Sequence, residues 1–159
     1  MANGNEIVVS AERNGRTISG FLLGVIYPGT WVELDPAVEP IGGKFTYRVY
    51  QPGTSGQSRQ ALIVDIDKSG GRPATAAYAS GDLANLYAPV NGEELNILVQ
   101  DVAGTGDTYA IGDLLTGITG TGLFVKTTED AVKQIPFICL ETLTALTANK
   151  LVWARYTGT

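Results

Sequence analysis

The chain has 159 residues, 44% of them hydrophobic and 17% charged, enough for one domain that buries roughly 70% of its unfolded surface. Its formal net charge is -5, and its eleven basic residues are scattered from Arg13 to Arg155, without the basic stripe that tight nucleic-acid binding needs. Histidine is absent, which removes the commonest general base, the usual zinc ligand and the Ser-His and Cys-His nucleophile pairs.

Twenty glycines, seven prolines and many threonines favour turns and strands over helices, so the expected class is all-β: a single compact β-barrel or β-sandwich of short strands. The N-terminus MANGNEIVVS lacks a basic segment followed by an apolar run, and the most apolar stretch, FLLGVIYPGTWV, is too short and too broken to span a bilayer; the expectation is a soluble, unexported protein. Residues 1 to 20 are mostly polar, with an apolar patch at Ile7, Val8 and Val9 and Asn-Gly pairs at Asn3-Gly4 and Asn14-Gly15. They read either as a first hairpin or as an arm that adds a strand to a neighbour, with residues 21 to 159 forming the β domain.

After the turn Tyr27-Pro28-Gly29, the strand TWVEL sets Trp31 and Glu33 on one face and Val32 and Leu34 on the other. KFTYRVY alternates Phe45, Tyr47 and Val49 against Lys44, Thr46, Arg48 and Tyr50, which predicts a sheet with one wet face. QPGTSGQSR is a loop by composition, ALIVDID a buried strand, and KSGGRP its end. ASGDLANLYAPVNGEELNILV then combines a Gly81-Asp82 corner with Asn91-Gly92, the strongest hairpin signal in the chain, and AIGDLLTGITGTGLFV echoes it through Gly112-Asp113-Leu114. In such a corner glycine takes positive φ, and the aspartate is expected to accept from an N–H two residues on. In the C-terminal segment Pro136 marks a strand edge or bulge, Ile138, Cys139 and Leu140 read as buried, and Glu141 to Ala148 as a helical turn or a hairpin connection. Cys139, the single cysteine, acts as a small hydrophobe, and LVWARY sets Leu151, Trp153 and Arg155 against Val152, Ala154 and Tyr156.

Carboxylates remain as candidate chemistry. Glu93 and Glu94 are adjacent and point to opposite faces, so they do not converge. Asp65, Asp67 and Ser69 fit the opening of a calcium loop with Gly70 at its sixth position, yet the twelfth is Ala76 where a glutamate should stand. GTGDTY and GITGTG lack the spacing of a nucleotide fingerprint. The turn pattern is similar in architecture to lipoyl and biotinyl carrier domains, but Lys126 lies within VKTTED without the flanks of a modifiable lysine. No catalytic, cofactor-binding or metal site is expected, and the protein is not expected to be an enzyme.

Taken together, PGTWVEL, GDLANLYAPVNGEELNILV, IGDLLTG, TGLFVKTTEDA, PFICLETLT and LVWARY resemble tailed-phage capsid decoration, or head cement, proteins from about Gly29 onward. The resemblance implies a β-rich, non-enzymatic virion protein, made in the host cytoplasm, that binds the outer surface of the expanded capsid and clamps neighbouring major capsid subunits. It further implies a homo-oligomer, a trimer in preference to a dimer, with no nucleic-acid or membrane partner. The candidate contacts are Ile7, Val8 and Val9 in the N-terminal segment and Gln51, Pro52, Thr54, Ser55, Gln57 and Arg59 in the polar loop. A rival reading is a carbohydrate or cell-surface binding module in which Trp31, Tyr47, Tyr50 and Trp153 line a groove.

Overall fold

The structure, a computed structural model, describes residues 6–7, 14–50, 61–66, 73–101, 108–118, 120–127, 137–144 and 146–158. Short apolar stretches punctuated by glycine turns form ten strands and no helix among these residues. Strands β1 (Arg16–Leu22), β2 (Trp31–Leu34), β3 (Thr46–Val49), β4 (Leu62–Val64) and β5 (Leu83–Ala88) close into a barrel in the order β1-β3-β2-β4-β5. Strands β6 (Glu94–Val99), β7 (Leu114–Gly117), β8 (Phe124–Thr127), β9 (Phe137–Cys139) and β10 (Lys150–Tyr156) close into a second, ordered β10-β6-β8-β7-β9. The all-β class is as expected; the expected single closure is resolved into two, and β1 runs across the boundary placed at residue 20.

The two barrels are copies of one topology. In each, the first and third strands pair in parallel and the other four neighbouring pairs are antiparallel. The registers agree as well. Leu22 faces Tyr47 as Val99 faces Phe124; Val32 faces Val49 as Leu115 faces Lys126; Trp31 faces Ile63 as Leu114 faces Ile138. Ile63 faces Tyr87 as Ile138 faces Arg155, and Thr17 faces Tyr87 as Glu94 faces Arg155. Two of the three isolated bridges correspond as well, Ile26 with Tyr78 and Tyr109 with Leu143. Since register decides which side chains point inward, the two interiors are filled from matching positions. Leu22, Val32, Tyr47, Val64, Ala84 and Leu86 fill the first, and Val99, Leu115, Phe124, Cys139, Val152 and Ala154 the second.

The barrels are joined into one body by a seam. Trp31, Tyr50, Ile63 and Tyr87 of the first barrel belong to the same apolar cluster as the interior of the second. The wet face expected on KFTYRVY is therefore largely covered: Thr46 and Tyr50 are buried, and Tyr50 stacks on Trp31 with ring centroids 3.8 Å apart. Trp31 also stacks on Phe124, at 5.8 Å. Its ring lies where a Cβ on Gly117 would come to 2.4 Å, and its carbonyl oxygen where one on Gly122 would come to 2.3 Å, so only glycine at both positions leaves room for this close approach.

Backbone bonds complete the seam. Leu98 N donates to Gly29 O (3.0 Å), Trp31 N to Gly122 O (2.8 Å) and Gly120 N to Tyr50 O (2.9 Å). In the first barrel the position matching the first two bonds is closed internally, Phe21 N donating to Phe45 O at 3.0 Å. Residues Gly29 to Trp31 thus occupy a gap between β6 and the segment entering β8 that the first barrel keeps shut, and the β6–β8 ladder is reduced to the single pair Val99 and Phe124.

The glycine corners hold, with a different bond. Ala79–Asp82 and Ala110–Asp113 are four-residue turns with positive φ at Gly81 and Gly112, and each aspartate N–H donates to the carbonyl three residues before it. The carboxylate likewise reaches back three residues: Ala79 N donates to Asp82 Oδ2 (2.9 Å) and Ala110 N to Asp113 Oδ2 (2.8 Å). Asn91-Gly92 makes a turn of the same kind but not a hairpin. It leads out of β5 into β6, which do not pair, and so carries the chain from one barrel to the other. Glu141 to Ala148 contains no helix among its described residues, and Leu143 bridges to Tyr109.

Candidate interaction surface

Charged and polar groups in the described residues act mainly as staples. Glu93 is buried at the point where β5 ends, β6 begins and β1 starts. Its Oε1 accepts from Tyr87 Oη (2.7 Å), Asn14 N (2.6 Å) and Gly15 N (3.1 Å), while its Oε2 accepts from Val90 N (2.9 Å). Burial pushes the carboxyl up, but these donors together outweigh it and hold it below the ordinary carboxylate range. Glu94 faces the other way, as its neighbour position requires, accepting from Arg155 Nη2 (2.9 Å) and Trp153 Nε1 (3.1 Å). On β2 and β3, Arg48 reaches Glu33 and Asp35 across the outside of the first barrel.

The other acidic candidate fares no differently. Asp65 is buried, and its Oδ1 accepts from Ile66 N (2.8 Å); Asp67 and Ser69 of the calcium-loop pattern lie outside the described residues. Lys126 sits on β8, 3.5 Å from Asp113, and not at a hairpin tip. Cys139 is buried within the second barrel, where burial raises its thiol, in keeping with a packing role. Ile138 and Leu140 are half-buried, less than expected.

Of the expected contact residues, Ile7 is a core residue: its side chain is fully buried and its carbonyl accepts from Asn96 N at 2.6 Å, so it reinforces β6 and is not free to reach a neighbour. Val8, Val9, Gln51, Pro52, Thr54, Ser55, Gln57 and Arg59 lie outside the described residues. The groove of the rival reading does not assemble. Trp31, Tyr47 and Tyr50 are buried, and only Trp153 is partly open.

Sequence reasoning missed the most conspicuous surface feature. Six of the nine exposed large hydrophobics among the described residues lie on the first barrel's segments around one end: Leu23, Val25, Leu34, Ile41, Phe45 and Leu83. Half-buried Phe21 links several of them, facing Leu83 across the β1–β5 ladder and bonding to Phe45 O through its N–H. The alternation of KFTYRVY put Phe45 on the Tyr47 face, which is correct. Position at the strand's start leaves it at the open end of the barrel, and period-two patterning carries no information on that distance. A separate cleft of about 530 Å³ follows the seam, lined by residues such as Tyr27, Leu98, Lys150 and Leu151.

Comparison with protein-family models and with curated proteins finds no match. Among solved structures, the N base of the head fibre gp8.5 of bacteriophage phi29 is similar, with a TM-score of 0.54 and 12% sequence identity over 90% of this chain and 94% of that one. At this identity the likeness is one of fold, and it extends over both barrels.

Proposed function

We propose that the protein is a structural component of a phage head that binds the outer surface of the expanded capsid and holds neighbouring major capsid subunits together without catalysing a reaction. The observation that carries this reading is the likeness, across nearly the whole of both chains, to the base of a phage head fibre. A rigid body suits the role: two closed barrels leave few free sheet edges, and the seam locks them to each other. The acidic net charge favours the outer shell over the packaged DNA.

The test is to mix the purified protein with expanded, undecorated heads and sediment the particles. Saturable, stoichiometric uptake with a raised head-disruption temperature is expected, because a ligand that binds only the intact shell stabilises it by mass action. Absence of uptake, with the protein folded, overturns the proposal.

A further inference from the structure

In a stack of like modules, a terminal module needs a polar outer face to stop the stacking. Here the two barrels are such modules, packed head to tail. The first offers its turn Tyr27–Thr30, Trp31 and Ile63; the second receives them on Leu98, Leu151 and the glycine notch of Gly117 and Gly122. Each barrel therefore also has a matching end that the other described residues leave unused.

The unused end of the first barrel carries apolar side chains, and that of the second sets an apolar strip beside Arg155, the position matching Tyr87. On the first barrel, register places Phe21 and Leu83 where the second has Leu98 and Leu151, and Leu34 and Phe45 where it has Gly117 and Gly122. Leu34, Phe45 and Leu83 are 41%, 47% and 48% exposed. On the second barrel the positions matching Pro28, Trp31 and Ile63 are Ile111, Leu114 and Ile138; Ile111 is 69% exposed and the other two are half-open. The sizes are exchanged in a compensating sense. Inside the chain a large Trp31 enters a notch of two glycines, whereas at the free ends a smaller Leu114 would meet a notch filled by Leu34 and Phe45.

We infer that the Phe21, Leu34, Phe45 and Leu83 end of the first barrel docks the Ile111, Leu114 and Ile138 face of the second barrel of another copy of this chain. Contiguous exposed apolar surface of this kind marks an association site, and two different complementary faces make the contact heterologous, closing a ring or extending a row. Because Phe21 N already donates to Phe45 O, the contact is made by side chains and lacks the backbone bonds of the internal seam, so it is reversible. The inference rests on the repeat and not on the capsid reading.

Sedimentation velocity over a concentration series tests it. The wild-type protein is expected to associate beyond the monomer as concentration rises into the high micromolar range. Leu83→Asp and Ile111→Asp, both at exposed positions and checked for unchanged melting, are each expected to remain monomeric. Mixed in equal amounts they should form dimers and nothing larger, since each keeps the end the other has lost. A wild-type protein that stays monomeric throughout overturns the inference, even if Leu83→Asp loses head binding. So does self-association that Leu83→Asp abolishes and Ile111→Asp leaves intact, which would mean a symmetric contact, or a mixture that fails to pair.

Discussion

Glu93 is the residue on which the junction of the two barrels turns, because a single buried carboxylate satisfies three backbone N–H groups and the Tyr87 hydroxyl at once. Hydrogen bonds to an ionised acceptor are the strong ones, and the donors would be left unpaired in the interior if the carboxylate were lost. Glu93→Gln removes the charge while keeping the shape, and is expected to lower unfolding free energy by about 2 kcal/mol in urea titrations. The pH dependence has a definite sign. The carboxyl is held below its ordinary value in the folded protein, so its contribution is fully present above the unfolded-state pKa and is lost as pH falls through the lower folded-state value. Stability measured from neutral pH into the acid range should therefore fall less steeply in Glu93→Gln than in the wild type; parallel curves would show that Glu93 is not what couples the junction to pH.

At the scale of elements, β2 couples the barrels through Trp31, whose ring is fitted against Tyr50, Phe124 and Gly117. Trp31→Ala should destabilise by about 3–5 kcal/mol, the usual loss for a large aromatic in a well-packed core. Trp31→Phe should be much milder, because the indole Nε1 makes no hydrogen bond and its removal leaves no partner unsatisfied. Gly117→Ala is expected to cost about 1–3 kcal/mol by forcing the ring from its seat, and combined with Trp31→Ala it should cost less than the sum of the two, as chemical denaturation of the double-mutant cycle would read. Alternation made the strands themselves legible: Val32 inward with Trp31 outward, and Val152, Ala154 and Tyr156 buried on β10. Partnership between strands was not legible. The Gly-Asp-Leu echo leads into β5 and β7, which are the fifth strand of one barrel and the second of the other, so it is not the repeat. The true traces are Asn14-Gly15 and Asn91-Gly92, each set just before the first strand of its barrel, and the glycine turns Tyr27–Thr30 and Ala110–Asp113, each set just before the second. Two-residue signatures of this kind are too common to be recognised as a duplication until the ladders are known.

Over the whole molecule, the arrangement makes the two barrels depend on each other unequally. The first has an interior cluster of its own, which includes Leu22, Val32, Val64 and Leu86 and is distinct from the cluster that fills the second barrel. The second barrel's interior is continuous with the seam, and its β6–β8 closure is bridged by Gly29 to Trp31 of the first. Losing the first barrel would therefore expose Leu98 and Leu151 and leave the second open at its parallel pair, whereas the first would lose outer contacts at residues such as Trp31, Tyr50, Ile63 and Tyr87 and keep its own interior. Under ordinary conditions the shared core should keep unfolding to one transition, with tryptophan fluorescence and far-ultraviolet circular dichroism giving coincident curves. Weakening the seam by Trp31→Ala should separate them in a fixed order, the second barrel melting first. Hydrogen exchange would follow this residue by residue: amides of β6, β8 and β10 should lose protection before those of β1 and β5. The reverse order, or simultaneous loss, would mean that the second barrel closes without help and that the inserted segment adds little beyond contact area.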